Sequence, residues 1–213
     1  MKFLKMKTIN IEQKDQWKDF ILREAQYPIP PSCHGGICVD AGTNIGDFPL
    51  NHGNRFDKYI CYDVFQENIE ECKKNTKDLG VPVEAYQRAV WSKAGEMVEV
   101  YAYQQASNGL QHFGNSGNVG CVQSMDDGGY GWIKDNQIDL VQSITVEEII
   151  EEYGEINLLK IDVEGSEYPF LLGKDLSKIN YIVGEMHFDE QKIELIEWLK
   201  KFDKFDRRLW KNI

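Results

Sequence analysis

The chain has 213 residues, of which 42% are hydrophobic, enough to bury one sizeable core, and we therefore predict a single domain over residues 1–213. Its 24 lysines and arginines stand against 35 aspartates and glutamates, and the net charge of −11 would repel a phosphate backbone, which argues against nucleic acid as a partner. Five cysteines without a C-x-x-C pair, and the lack of a long apolar run, predict a soluble cytoplasmic protein with reduced thiols and no membrane segment.

The first predicted elements are an N-terminal helix and a proline-rich lead-in, which together occupy residues 1–32. Trp17, Phe20 and Ile21 recur at helical spacing, and the prolines of YPIPPS (27–32) then end the segment. An entry helix thus precedes the first strand.

Strands and helices then alternate, and this succession favours a parallel sheet covered on both faces. Three strands are predicted in the first half of the chain: GICVDAG (36–42), KYICYD (58–63) and VEAYQRAV (83–90). A short helical segment containing Pro49 should follow the first strand, and a helix within residues 65–80, ended by Gly80, should follow the second.

A segment after the third strand is too long for a simple connector. Residues 95–103 alternate like an edge strand, and residues 104–137 are rich in glycine, asparagine and serine. We interpret 104–137 as an insertion on the substrate side of the domain. Aromatic side chains in and around it suit the apolar faces of sugar rings, although packing under a long loop is their commoner role: Tyr101, Tyr103, His112, Phe113, Tyr130 and Trp132.

Regular structure returns with Thr145 and Glu148, a capping box that opens a helix ended by Gly154. Two further strands and a last helix complete the pattern: INLLKIDV (156–163), YIVGEMH (181–187) and the helix marked by Leu195, Ile196, Leu199 and Phe202. The predicted fold class is therefore α/β, a doubly wound and mostly parallel sheet with strand order 3-2-1-4-5. The residues after the last helix leave room for one more strand.

The loop DAGTNIG (residues 40–46), called the glycine loop below, follows the first strand, at the edge where an open parallel sheet binds ligands. Gly42 and Gly46 would let the backbone approach a ligand, and Asp63, closing the second strand, stands where an acid grips a ribose. The pattern D-x-G-x-N-x-G lacks the middle glycine of the dinucleotide motif, and Asp40 suits the cationic groups of S-adenosylmethionine better than a pyrophosphate. S-adenosylmethionine is thus the favoured cofactor, and a nicotinamide dinucleotide remains the alternative.

Four sequence blocks resemble the FkbM-type methyltransferases, a family of S-adenosylmethionine-dependent O-methyltransferases that act mostly on sugars and natural products. The blocks are VDAGTNIGDFPL, YICYDVFQENIEECKKN, AVWSKAGEMVEVY and ITVEEIIEEYGEINLLKIDVEGSEYPFLLG, followed by IVGEMH. LLKIDVEGSE is the most specific part. The chain departs from the family at Asp63-Val64, where Glu-Pro is usual, and at Val146, where an acid is usual. The resemblance implies a Rossmann-like, class I methyltransferase core over residues 36–188.

The resemblance also implies a cofactor site at the ends of the first three strands. The glycine loop would surround the methionine part, Asp63 would hold the ribose, and the backbone from Arg88 onward would lie beside the adenine. The implied cofactor-binding residues are Asp40, Gly42, Thr43, Asn44, Gly46, Asp63, Val64, Arg88 and Ala89.

Candidate catalytic residues follow the fourth and fifth strands. Asp162 and Glu164 would share one face, as would Glu185 and His187, and both strand ends open on the same crevice. An acid beside His187 would raise its basicity towards that of a general base, so we predict these four as the catalytic group. A divalent metal held by Asp162, Glu164 and His187 is the less favoured alternative. Compensation of a helix dipole is the structural alternative for Glu164 and Glu167.

The sequence thus predicts methyl transfer from S-adenosylmethionine to a hydroxyl group of a carbohydrate or a glycan-like small molecule. Two other classes stay open: a nicotinamide-dependent oxidoreductase, and a non-catalytic protein that retains the fold. Neither nucleic acid nor a membrane is expected as a partner, and the oligomeric state is left open.

Overall fold

The computed structural model describes residues 27, 29–105, 119–121, 132–163, 165–186, 189–202 and 210–211. The predicted N-terminal helix, residues 106–118 and 122–131 of the 104–137 insertion, Glu164 and His187 lie outside the described residues. Within the described part of the chain, no helix has the length and apolar character that a bilayer crossing requires.

The described residues form ten strands: β1 (Ile37–Ala41), β2 (Lys58–Asp63), β3 (Val83–Gln87), β4 (Ala89–Val90), β5 (Met97–Gln105), β6 (Val119–Cys121), β7 (Trp132–Ile144), β8 (Ile156–Ile161), β9 (Ile179–Glu185) and β10 (Trp210–Lys211). They also form five α-helices: α1 (Asp47–His52), α2 (Gln66–Thr76), α3 (Val146–Tyr153), α4 (Glu167–Leu171) and α5 (Asp189–Leu199). Short 3-10 helices follow α1 at Gly53–Arg55 and α5 at Lys200–Phe202.

The larger sheet contains six strands in the order β10-β9-β8-β1-β2-β3, and all its pairs are parallel. This arrangement confirms the predicted order 3-2-1-4-5 and the α/β fold class. The residues after the last helix add β10, which pairs with β9. The second strand has the predicted bounds, whereas the fourth ends at Ile161, so that Asp162 lies just beyond it.

The centre of this sheet is apolar on both faces, as expected for parallel strands covered by helices. In the register of β1, Val39 lies opposite Ile60 of β2 and Leu159 of β8, and each of the three is at most 1% exposed. Continuous apolar runs therefore place β1 in the middle of the core. Its carboxyl end, where the glycine loop begins, is flanked by the ends of β2 and β8.

The helices follow their predicted signals with one exception. The Thr145 hydroxyl accepts a hydrogen bond from the Glu148 amide at 3.2 Å, and the Glu148 carboxylate accepts one from the Thr145 amide at 2.9 Å, which confirms the capping box. Gly154 ends α3 with a φ of 78°. Helix α2, however, ends at Thr76 and not at Gly80, and a turn in which the Leu79 amide donates to the Thr76 carbonyl leads on to Gly80.

A second sheet, of order β4-β7-β5-β6, corrects two expectations. The third predicted strand divides at Arg88, and its last part, β4, pairs with β7 instead of β2. The ends of the 104–137 segment are strands as well, since β5 runs to Gln105 and the antiparallel β7 begins at Trp132. The sheet forms because it buries a small apolar cluster of its own: Ala89, Trp91, Val98, Val100 and Val141, with Val64 and Phe65 packed against it.

Candidate functional site

The loop between β1 and α1 is bonded to both neighbouring strands. The Gly42 and Thr43 amides donate to the Tyr62 carbonyl of β2 at 2.9 and 3.0 Å, and the Asp162 amide, just after β8, donates to the Ala41 carbonyl at 3.0 Å. The loop is therefore held from both sides by main-chain hydrogen bonds. The ends of β1, β2 and β8 meet at one edge of the sheet, as predicted.

Gly42 is required by a close approach of two backbone segments. Its φ is +78°, and a Cβ at this position would collide with the carbonyl group of Asp162. A glycine here lets the chain leave β1 directly against the end of β8. The packing of β1 against the end of β8 thus requires a glycine at position 42, whether or not a ligand binds.

Gly46 has a similar role against helix α2. Its φ is +90°, and an added Cβ would lie 3.0 Å from the Cys72 sulfur and 3.1 Å from the Thr76 methyl carbon. The space that a side chain would take at Gly46 is therefore filled by α2. Packing against α2 thus requires a small residue here, and the role of Gly46 beside a ligand stays a prediction.

Asp40 forms a buried ion pair that the sequence analysis did not foresee. Asp40 is fully buried, and its Oδ1 lies 3.1 Å from Nζ of Lys160, which stands directly opposite on β8. The Thr43 hydroxyl donates to Oδ2 at 2.6 Å, and Lys160 also donates to the Gly42 carbonyl at 2.7 Å. The chain's own cation thus compensates the Asp40 charge and ties the loop to β8. The only signal in the sequence was a lysine within the apolar run LLKI.

Asp63 is the carboxylate that joins the loop to the segment after β2. It is 9% exposed, and Oδ2 accepts the Asn44 amide at 2.8 Å. Oδ1 accepts the Phe65 amide at 2.9 Å and the Asn68 side-chain amide at 3.0 Å. Burial raises the pKa of Asp63 to about 6, and these hydrogen bonds oppose the rise.

Asn44 adopts a left-handed backbone conformation, with φ of 51°, and is also only 9% exposed. Its side-chain Nδ2 donates to Oδ2 of the buried Asp47 at 3.2 Å. Its Oδ1 is buried and has no hydrogen-bond partner among the described residues. An acceptor left in this state normally marks the place of a missing donor.

The remaining predicted cofactor residues follow the carboxyl ends of β2 and β3, next to the second sheet. Val64 is half-buried, and its carbonyl accepts the Gln87 side-chain amide at 2.9 Å. The Arg88 amide donates to the Asp63 carbonyl, and its guanidinium to the Gln87 carbonyl. Ala89 is fully buried in β4. Ala89 therefore offers no exposed surface to a ligand, and its predicted place beside the adenine stays a prediction.

On the acceptor side the structure describes two of the four predicted residues. Asp162, after β8, and Glu185, at the end of β9, are half-buried on adjacent strands. Glu167 is buried and accepts the amides of Val163 and Gly165 at 3.0 and 2.9 Å, so it shapes the loop after Asp162. Among the described residues no group of three or more His, Cys, Asp or Glu side chains is placed to hold a metal ion.

Tyr27 belongs to this site, although the sequence pattern placed it only in the proline-rich lead-in. Its hydroxyl donates to Oδ2 of Asp162 at 2.8 Å, and the side chain is 2% exposed. The Tyr27 ring lies edge-on to the ring of Phe48 in α1. Nζ of Lys160 lies 6.0 Å from the centroid of the Tyr27 ring. The lead-in thus closes one side of the site.

The parallel sheet of this strand order, with a glycine loop after β1 and an acid closing β2, defines a Rossmann-like α/β domain of the class I methyltransferase type. A model of the methyltransferase FkbM domain matches residues 40–209, and the chain belongs to this family. The resemblance noted in the sequence is thereby confirmed. No match was found among curated proteins.

Three solved structures overlap with the chain. An S-adenosylmethionine-dependent methyltransferase from Clostridium acetobutylicum has 17% identity and a TM-score of 0.25, over 36% of this chain and 30% of that one. Another from Leishmania major has 14% identity and a TM-score of 0.32, over 45% and 41%. A provisionally assigned one from Methanococcus maripaludis has 14% identity and a TM-score of 0.37, over 98% and 79%. The chain spans less than half of the first two structures, and overlaps with such low TM-scores carry no information on its function.

Proposed function

We propose that this member of the FkbM family is an S-adenosylmethionine-dependent O-methyltransferase that acts on a hydroxyl group of a carbohydrate or glycan-like small molecule. The observation that carries the proposal is the pair of ligand-ready acceptors at the ends of β1 and β2. Asn44 has a buried side-chain oxygen without a partner among the described residues, and its main-chain amide donates to the Asp63 carboxylate. Both acceptors fit a ligand that carries a ribose and an ammonium group.

The Asp63 carboxylate supports the ribose assignment by its hydrogen-bonding capacity. Each carboxylate oxygen can accept about two hydrogen bonds. Oδ1 already accepts two, from Phe65 and Asn68, while Oδ2 accepts the Asn44 amide. Oδ2 therefore has room for one ribose hydroxyl. The shorter reach of Asp, compared with the Glu usual in the family, fits a carboxylate already drawn towards the loop.

S-adenosylmethionine, when bound, supplies a methyl group already activated as a sulfonium, so the chain has to provide binding, alignment and removal of the hydroxyl proton. We propose that the acceptor lies at the carboxyl ends of β8 and β9, beside Asp162 and Glu185. Glu164 and His187 follow these residues in the sequence, and His187 or Asp162 takes the proton in this proposal. The hydrogen bond from Tyr27 fixes the orientation of the Asp162 carboxylate.

The class of acceptor and the setting are inferred from weaker features. Family resemblance and the aromatic composition of the 104–137 segment support a sugar-like acceptor, and the net charge of −11 argues against nucleic acid. Four buried cysteines of the described residues are free thiols, which supports a cytoplasmic setting: Cys33, Cys38, Cys61 and Cys72.

Two measurements test the proposal in turn. Calorimetry should detect binding of S-adenosylhomocysteine and no binding of NAD; the reverse result would favour an oxidoreductase. A screen of glycans and polyols with isotope-labelled S-adenosylmethionine should then yield a methylated product by mass spectrometry. Binding without turnover on any acceptor would favour the non-catalytic alternative. Loss of activity on chelation, restored by magnesium, would bring back the metal hypothesis.

A further inference from the structure

The main chain that leaves β8 is held by a buried carboxylate from the helix that follows. Glu167 lies in the first turn of α4 and is 2% exposed. Its Oε1 accepts the Val163 amide at 3.0 Å, and its Oε2 accepts the Gly165 amide at 2.9 Å. A carboxylate offers an acceptor to both amides, whereas a glutamine side chain of the same shape offers only one.

The first turn of α4 lacks a side-chain cap of its own. Ser166 occupies the N-cap position, but its side chain makes no capping hydrogen bond. The Ser166 hydroxyl is buried and has no hydrogen-bond partner among the described residues. The carboxylate of Glu167 is directed to the preceding loop, away from the uncapped helix. Such departures from the local rules of helix stability are expected where function requires a particular geometry.

The loop that Glu167 holds begins at Asp162, which is restrained from two other directions. The Asp162 amide donates to the Ala41 carbonyl at 3.0 Å, and this bond fixes the main chain against β1. The Tyr27 hydroxyl donates to Oδ2 of Asp162 at 2.8 Å, and this bond orients the side chain. Glu167 adds the third restraint, because it fixes the amide of Val163, the next residue along the chain.

We infer that Glu167 is a positioning residue for methyl transfer, which holds the main chain after Asp162 so that the Asp162 carboxylate faces the acceptor hydroxyl. The inference rests on the proposed function, because that function places the acceptor beside Asp162. It gives Glu167 a role in the rate of the reaction that differs from compensation of the helix dipole. A group that takes part in the transfer has to be held closely, and a carboxylate that bonds two amides of one loop does this.

The first test replaces the carboxylate and keeps its shape. Glu167→Gln would place an N–H group against one of the two amides, so the loop has to shift. With an identified acceptor, kcat should fall about 10- to 100-fold, the scale on which small displacements of reacting groups act. Affinity for S-adenosylhomocysteine, measured by calorimetry, should stay within about threefold of the wild type, because the proposed cofactor residues lie elsewhere. Glu167→Asp is a second variant, which keeps the charge but is too short to reach both amides, and it should show the same separation of kcat from affinity.

A double variant shows whether Glu167 acts through Asp162. In an Asp162→Asn background, Glu167→Gln should lower kcat by less than about twofold further, because the group that it positions is already lost. A general loosening of the fold would instead multiply the two losses. Hydrogen exchange without any ligand gives an independent readout. The Val163 and Gly165 amides should exchange faster in Glu167→Gln, while the Asp162 amide, bonded to Ala41, stays protected.

Glu148→Gln is the matched control. The Glu148 carboxylate also accepts a main-chain amide at the start of a helix, from Thr145 at 2.9 Å, but it belongs to α3 and does not hold the loop after Asp162. This variant should lower the stability measured in urea and leave kcat unchanged. The comparison separates loss of a buried carboxylate bond in general from loss of this one.

Several results would overturn the inference. Full kcat in Glu167→Gln, with faster exchange at Val163 and Gly165, would show that the loop needs no positioning. Unchanged exchange at both amides would show that the carboxylate does not hold them. A fall in S-adenosylhomocysteine affinity as large as the fall in kcat, or an equal fall of kcat in Glu148→Gln, would indicate a structural role only. If the wild type methylates no acceptor, the proposed function itself fails, and the inference falls with it.

Discussion

Cofactor affinity should fall as the pH is lowered through 6, because Asp63, the carboxylate that we propose as the ribose acceptor, has a raised pKa. Burial raises the pKa of Asp63 from 3.8 to about 6 in the free protein. Ribose hydroxyls donate to the ionised form and stabilise it, so the pKa of Asp63 is lower in the complex than in the free protein. Binding near pH 6 therefore releases a proton.

The magnitude follows from the fraction of ionised Asp63. With a pKa of about 6, this fraction falls roughly tenfold between pH 7 and pH 5, and the affinity for S-adenosylhomocysteine should fall by up to the same factor. The stability of the free protein should change in the opposite sense. Between pH 6 and the unperturbed value of 3.8, the folded state binds the proton more tightly than the unfolded state, so protonation of Asp63 stabilises the fold.

Calorimetry at several pH values, in buffers of different ionisation enthalpy, would report both the affinity and the protons released. In Asp63→Asn the affinity should be weaker and independent of pH between 5 and 7. Asp57→Asn is the control, because Asp57 also accepts a backbone amide, from Gly36 at 2.7 Å, but at the amino end of β1. A pH dependence that persists in Asp63→Asn, or one absent from the wild type, would refute the linkage.

Three further predictions concern the surroundings of the loop. Lys160→Met leaves the Asp40 carboxylate uncompensated and should cost about 3–5 kcal/mol in urea unfolding; a smaller loss would mean that the pair is not buried in solution. Gly46→Ala, at a φ of +90° and against α2, should cost roughly 1–3 kcal/mol in the same assay. Tyr27→Phe should lower kcat on an identified acceptor while leaving S-adenosylhomocysteine affinity unchanged, unlike a change that merely loosens the fold.

Local sequence patterns predicted five of the six strands of the larger sheet, because each of these five carries its own signal, whereas for β10 the sequence indicated only that there was room for a strand. Parallel strands buried on both faces are continuous apolar runs, and turn residues or caps separate them; β2 accordingly begins and ends where predicted. The second sheet lacks such a signal. Strand β7 begins in the polar stretch WIKDNQ, and its pairing with β5 is set by contacts between distant segments, which no local pattern encodes. For this reason the sequence predicted one strand over residues 83–90, where the structure has β3 and β4 on either side of Arg88.

The residues of the site were likewise predictable from the sequence only where a local pattern marks them. Asp40, Asp63 and Asp162 could be placed at strand ends from the sequence, because each follows an apolar run. Their partners could not be found, since they depend on register. Lys160 is 120 positions from Asp40 and meets it only because β1 pairs with β8 at that residue. Tyr27 reaches Asp162 across 135 positions for the same kind of reason.

The contacts of the glycine loop have a consequence for how it binds a ligand. The amides of Gly42, Thr43, Asn44 and Gly46 are all bonded to other parts of the chain or to the loop itself, at 2.8–3.0 Å. A loop held in this way has little conformational entropy left to lose on binding, so contacts with the ligand add to affinity without first ordering the backbone. The same bonds engage these four amide hydrogens, so we expect side-chain acceptors such as Asp63 Oδ2 to contribute more to ligand binding than these amides do. A loop of acceptors repels a pyrophosphate and attracts hydroxyl and ammonium donors, and this physical difference separates it from the dinucleotide loop, whose backbone amides are the ligand-binding groups.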